Sequence, residues 1–292
     1  MRFFFAGEML MRLECVENER FADAGKFKVR YTGAEFNSAV AMSMFGSTGL
    51  FLLSAFSDDA LGKACRNYVR RFGVSTEHSC VKAGRLGKFF FEKGFGLRPS
   101  QVIYDRSDSV FANAGADDFR LDGLFQRGDH LHVSGTVFAV NLPLAGELLE
   151  RARTAGASVS LDLNYRATLW EKEQDAARAF TAAMKYVDIL IANAPVAETL
   201  LGPPEENLCR SCGFRCAVLT ERGEEAADIN TFSARVHSAD GKCRRSRSYR
   251  TGMLDRVGGG DAFAGGFLHE YLDRKEEDRK STRLNSSHGY IS

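Results

Sequence analysis

The sequence predicts an α/β fold in three layers, a mainly parallel central sheet with helices on both faces, plus a small β-sheet lid. Three observations predict it. Short apolar runs are continuous rather than alternating, as in strands covered on both faces. Amphipathic runs of helical period separate them. Two further β-type stretches have no helix between them, which sets them apart from the alternation.

In chain order, Phe3–Ala6 and Leu50–Leu53 read as buried strands, and residues 27–31 as part of the lid. A helix is expected over 59–72. There Leu61, Ala64, Cys65, Tyr68, Val69 and Phe72 form one stripe, Asp58 or Asp59 caps the start, and Gly73 closes the end. Residues 88–92 and 101–104 complete the lid, whose segments span about 14–32 and 86–106. The lid is expected to be antiparallel. Strands at 131–134, 159–163, 187–191 and 217–220 follow, with a helix from Pro143 to just before Gly156. Residues 1–280 read as one domain. The stretch 281–292 is polar, serine-rich and aperiodic; it reads as a non-native tail and is set aside.

Composition excludes several classes. The 292 residues carry 39 basic and 38 acidic side chains, which gives no clustered positive field for nucleic acid and no polybasic membrane signature. No apolar run approaches the ~20 residues of a membrane span. The opening apolar run is too short for a signal peptide and is broken by Glu8, so a cytoplasmic protein is expected. Seven cysteines make no disulfide framework. Cys209 and Cys212 have a metal-like spacing, with Cys216, His237 and Cys243 as further candidates, but no recognised second ligand pair follows. The reading is semi-buried thiols and no metal site. His130 and His132 flank a strand and read as packing residues.

The most informative stretch is Asp255-Arg256-Val257-Gly258-Gly259-Gly260-Asp261, which leads into an apolar helix bearing Phe263, Phe267, Leu268, Tyr271 and Leu272. Consecutive backbone amides at a helix start form an anion site. Gly258, Gly259 and Gly260 would neutralise charge on a transferring phosphoryl group, and Asp261 would accept the proton of an attacking hydroxyl. No Lys-Ser or Lys-Thr follows, so this is not a Walker loop. The glycine spacing also fails the dinucleotide fingerprint.

This stretch resembles the carboxy-terminal signature of the ribokinase-like (pfkB) carbohydrate kinases. Residues 32–41, Thr-Gly-Ala-Glu-Phe-Asn-Ser-Ala-Val-Ala, with Gly46, resemble that family's amino-terminal signature. Within the family the likeness is greatest to the kinases of 2-keto-3-deoxygluconate. It is carried by Gly7-Glu8 with Arg12-Leu13, by 84–87, by 99–106 including Tyr104-Asp105-Arg106, and by 160–166 including Asn164-Tyr165-Arg166.

The resemblance implies an ATP-dependent, magnesium-requiring kinase acting on the primary hydroxyl of that sugar acid. It implies that Gly33, Ala34 and Asn37 hold sugar hydroxyls, and that Phe89, Tyr104, Arg106 and Arg166 line the rest of the pocket, beside Asp261. Arginines suit a substrate carboxylate by planar pairing. Asn193, Thr220, Arg222 and Gly223 would contact the nucleotide, together with Gly258 and Gly260. A homo-oligomer formed through the β lid is compatible with its phenylalanine-rich strands. Thr32 stands where the family has a first glycine, and Arg256 where many members have a small residue. The family also continues with helices over the adenine, whereas the native-looking sequence here ends near Lys280. A neutral-sugar kinase of fructose or ribose type, and a catalytically inactive sugar- or nucleotide-binding protein, remain as alternatives.

Overall fold

The computed structural model describes residues 1–94, 98–202, 209, 212–226, 229–252, 255 and 257–273. Arg256 and the tail at 281–292 lie outside them.

The main sheet is built as the apolar runs require. Strands β1 (Phe3–Ala6), β4 (Leu50–Leu53), β9 (His130–Ser134), β10 (Ser158–Asp162), β11 (Ile189–Asn193) and β12 (Cys216–Ala226) run parallel, in the order β12-β11-β10-β9-β1-β4. Phe3, Phe4 and Phe5 are fully buried, as expected of a strand covered on both faces. An antiparallel extension, β13 (Ile229–Ser238), β14 (Cys243–Arg245) and β15 (Tyr249–Gly252), continues past β12.

Helix α1 (Ala34–Met44) packs on β1 and β4, and α4 (Leu142–Thr154) packs on β9 and β10. Asn141 caps α4, and Gly156 follows it at φ 77°. Helix α2 (Ala60–Arg70) is capped by Asp59, whose side chain accepts the Gly62 amide at 2.8 Å. Cys65 and Val69 face inward, but Leu61 is 47% exposed and Ala64 is also at the surface. The six-residue stripe is therefore narrower than its spacing implies, because α2 meets mainly the short strand β5 (Ala55–Ser57).

His130 and His132 are buried and bonded to Ser158 and Ser160, with burial holding both rings near pKa 3 and hence neutral. They are packing residues. All seven cysteines are free thiols, and no metal-holding group of three ligands occurs among the described residues.

The lid is a separate sheet of four strands, in the order β3 (Phe27–Thr32), β2 (Leu10–Cys15), β7 (Gly87–Glu92), β8 (Gln101–Asp105). Its outer pairs are antiparallel, but its central pair, β2 with β7, is parallel, which corrects the purely antiparallel expectation. Strand β2 follows closely on β1 and leads the chain out of the main sheet into the lid. Val29 (51% exposed) and Ile103 (48%) lie on the lid surface on which the expected self-association rests. No helix among the described residues is long and apolar enough to cross a membrane.

Candidate active site

In parallel sheets of this kind ligands collect beyond the carboxyl ends of the strands. Glu8 follows β1, Ser134 ends β9, Asp162 ends β10 with Asn164 and Arg166 just beyond, and Asn193 ends β11.

Along the chain, α3 (Gly135–Val140), α5 (Glu173–Ala183) and α6 (Ala194–Leu201) follow β9, β10 and β11, and α7 (Gly259–Leu268) follows β15. Helix α7 carries the glycine-acid turn. Gly258 sits at its start with φ 87°, a left-handed conformation that disfavours side chains. A Cβ there would also lie 3.2 Å from the Asn37 amide nitrogen. The first intrahelical bond runs from the Ala262 amide to the Gly258 carbonyl at 2.8 Å. The preceding amides, Gly258 to Gly260, thus have no partner within the helix, which is the condition for an anion site.

Asp261 is buried at the first turn of α7. Its Oδ2 accepts the Asn37 side-chain amide at 2.8 Å and its Oδ1 that of Asn164 at 3.2 Å. Its carbonyl accepts the Ser38 hydroxyl at 2.8 Å. Burial raises its pKa, while the Asn37 amide, the Arg166 charge and the Asn164 amide act against that rise. Asp162 is pushed up to about 7 by burial and then by the charge of Asp261.

Glu35 on α1 is likewise pushed up to about 7, first by burial, against the Ser134 hydroxyl and amide that donate to it. A carboxyl kept neutral in the fold but ionised in the unfolded chain costs stability as pH rises between the two pKa values. The penalty begins near the unfolded value of about 4.5 and is complete above about 7. Glu35→Gln is therefore expected to melt like the wild type at pH 4.5 and higher than it at pH 8, by at most about 3 kcal/mol. Thermal melts across that range check it; a gain that is largest at low pH would contradict the assignment.

The sugar-side residues fall on two elements groups. Gly33 caps α1, with a would-be Cβ 2.5 Å from the Glu8 carbonyl, and Ala34 opens the helix. Phe89 is buried with Leu10, Phe91 and Val257, so the lid packs directly on the glycine-acid turn. Arg12 strengthens that join: its guanidinium lies 4.2 Å from the Phe91 ring centroid and donates to Asp255 at 2.7 Å. Tyr104 is half-exposed, its ring 5.7 Å from that of Phe89.

Arg106 and Arg166 differ. Arg106 donates through Nε and Nη2 to one oxygen of the buried Glu8, whose other oxygen accepts from Ser109. It is a held side chain with its Nη1 edge remaining. Arg166 is exposed and makes no ion pair among the described residues, Glu171 included, while its charge acts on Asp162 and Asp261.

The nucleotide-side residues sit differently from the sequence reading. Strand β12 continues through Ala226, so Thr220, Arg222 and Gly223 lie within a strand and not after it. Asn193 and Thr220 are register partners on β11 and β12, and the Thr220 hydroxyl donates to the Ala192 carbonyl at 3.2 Å. Arg222 donates to Asn230 across the hairpin, and Gly223 pairs with Thr231. The register partner of Arg222, Phe232, has its ring 5.4 Å from that of Phe263 on α7, which brings this hairpin against the glycine-acid helix. Asn164 and Glu8 were missed as site residues. Both stood in the quoted motifs, but no spacing rule marks a residue whose partner is far along the chain.

A buried, oriented carboxylate beside helix-start amides with no partner within the helix is the equipment of a phosphotransferase acting on a hydroxyl. The chain belongs to the PfkB family: the model described as "pfkB family carbohydrate kinase" matches residues 3–284. It is 32% identical over 275 residues to a 2-dehydro-3-deoxygalactonokinase of Haloferax volcanii, covering 91% of this chain and 83% of that one. It is 28% identical over 273 residues to a 2-dehydro-3-deoxygluconokinase of Thermoproteus tenax, covering 91% and 80%. The crystal structure of a 2-dehydro-3-deoxygluconokinase of Thermotoga maritima superposes with TM-score 0.87 at 30% identity, over 96% of this chain and 90% of that one. It is a carbohydrate kinase with the ribokinase-like fold.

Proposed function

We propose that this kinase transfers the γ-phosphoryl group of ATP to the primary hydroxyl of 2-keto-3-deoxygluconate. The observation that carries the reading is Asp261, buried at the start of α7 with each oxygen held by an asparagine amide. In the step, the sugar hydroxyl gives its proton to Asp261 as its oxygen bonds to the γ-phosphorus. The bond from that phosphorus to the β–γ bridging oxygen breaks, and ADP leaves. The amides of Gly258 to Gly260 face the charge that builds on the phosphoryl oxygens. Gly33, Ala34 and Asn37 hold sugar hydroxyls, while Phe89 and Tyr104 wall the pocket. Asn193, Thr220, Arg222 and Gly223 belong to the nucleotide side.

Magnesium accompanying ATP would supply charge neutralisation at the phosphates. The described residues offer no three-ligand cage for it. The steps above use the chain's own groups alone.

The sugar's carboxylate is the discriminating group. Arg166, without an ion pair among the described residues, and the Nη1 edge of Arg106 are the two guanidinium groups that meet it. Arg106→Ala is expected to raise KM for a sugar acid by about 10–100-fold, the worth of a charged hydrogen bond, well beyond any change in KM for a neutral sugar, and to lower stability by leaving buried Glu8 unpaired. A coupled ADP-release assay with the gluconate and galactonate forms, fructose and ribose tests both points. The 2-keto-3-deoxygalactonate reading is supported by the 32% identity to the galactono enzyme. Turnover of neutral sugars alone would overturn the acidic-substrate assignment.

A further inference from the structure

We propose that Asn164, set in place by Asp162, is a second positioning residue for the general base, matching Asn37 from the opposite side. The proposal rests on the kinase reading above.

The argument starts at the end of β10. Asp162 closes that strand and is buried. Its Oδ1 accepts the Asn164 backbone N–H at 3.0 Å, two residues on, which is an Asx turn. The intervening Leu163 amide is fixed to the Ile191 carbonyl of β11 at 2.9 Å, so the turn is anchored on the neighbouring strand. The turn holds Asn164 at φ 29°, on the left-handed side that few non-glycine residues occupy and asparagine tolerates. From there its side-chain amide reaches Asp261 Oδ1 at 3.2 Å.

Asn37 does the same for Oδ2 at 2.8 Å, its own carbonyl oxygen accepting the Thr32 hydroxyl at 3.1 Å. One amide on each oxygen fixes the rotation of the carboxylate and leaves a lone pair on each for the substrate proton. Both amides favour the ionised form inside a buried site. The charged group acting on Asp261 is Arg166, which favours ionisation. Asp162 and Glu35 are each pushed up to about 7, by burial and by the charge of Asp261, and so stay neutral as Asp261 ionises.

The test is the pH profile of kcat/KM for the full chain with ATP and sugar acid. Asn164→Gly keeps the left-handed turn and deletes the amide. Its acid limb is expected about one pH unit higher, with kcat about tenfold lower at neutral pH and KM for ATP unchanged. Asp162→Asn keeps an oxygen for the turn and replaces a carboxyl that is neutral over this limb, so its limb is expected to stay in place. A rise in Asn164→Gly with Asp162→Asn unshifted supports the proposal, because general disruption of the turn would move both variants. An unshifted limb in Asn164→Gly, or an equal rise in both variants, overturns it. If the wild type phosphorylates no sugar acid, the kinase reading fails. NMR titration of the Asp261 carboxyl carbon in the three proteins then reads the same shifts without turnover, and an unchanged midpoint in Asn164→Gly overturns the positioning role.

Discussion

Asp261→Asn is expected to lower kcat by about 10²–10⁴, the usual worth of a positioned proton acceptor. The substitution preserves the side chain's shape and its burial at the start of α7. It removes only the group that takes the hydroxyl proton. Sugar affinity, read by calorimetry, should stay within a few-fold, since the hydroxyl contacts assigned to Gly33, Ala34 and Asn37 remain. Stability should not fall much either. The ionised carboxylate is penalised by burial, and the neutral amide escapes that penalty, while one of the two asparagine amides loses its acceptor. A variant that keeps more than a tenth of wild-type turnover would show that the proton leaves by another route.

The second large effect is expected from Gly265→Val. Helices α1 and α7 cross so closely that a Cβ at Gly265 would lie 2.3 Å from the Ser38 carbonyl and 2.8 Å from the Ala41 methyl. Neither is the loose end of a flexible side chain, so the helices must part. Overpacking of this kind costs about 1–3 kcal/mol or more. The same contact carries function, because the Ser38 hydroxyl on α1 bonds the Asp261 carbonyl on α7. A shift of about 1 Å between the helices costs on the order of 10²-fold in rate. Gly146→Ala, on a helix surface with nothing within 4 Å, is the matched control and should be neutral or slightly stabilising. A Gly265→Val protein with wild-type melting and turnover would mean that α7 is not seated on α1 in solution as described.

Much of the fold was legible because it depends on local pattern. The Phe3–Ala6 strand follows from a continuous apolar run, and Asp59 marks the start of α2 by capping chemistry that acts within a few residues, while the helix ends at Arg70 and Gly73 lies two residues past its C-cap. The stripe on α2 was legible only in part. Spacing says which residues share a face, while the width of the surface beneath decides how many are covered, and Leu61 falls outside it. Strand β2 escaped notice because its mixed residues, with Arg12 buried by an aromatic ring and an acid, do not alternate cleanly. The length of β12 escaped for a similar reason: its far half is polar and is drawn into the sheet by pairing with β13.

The amino-acid order alone determined the alternation of strands and helices, the glycine-acid turn at 258–261 and the likeness to the carbohydrate kinases. These rest on neighbours in sequence, where propensity, capping and backbone freedom operate. Only the folded molecule decided that Arg106 is held by Glu8, 98 residues away, and that Asp261 is gripped by Asn164 and Asn37, 97 and 224 residues away. Hydrogen bonding and the shifted acidity of buried carboxyls depend on distance through space and on exclusion of water. Neither quantity exists until the chain has closed on itself.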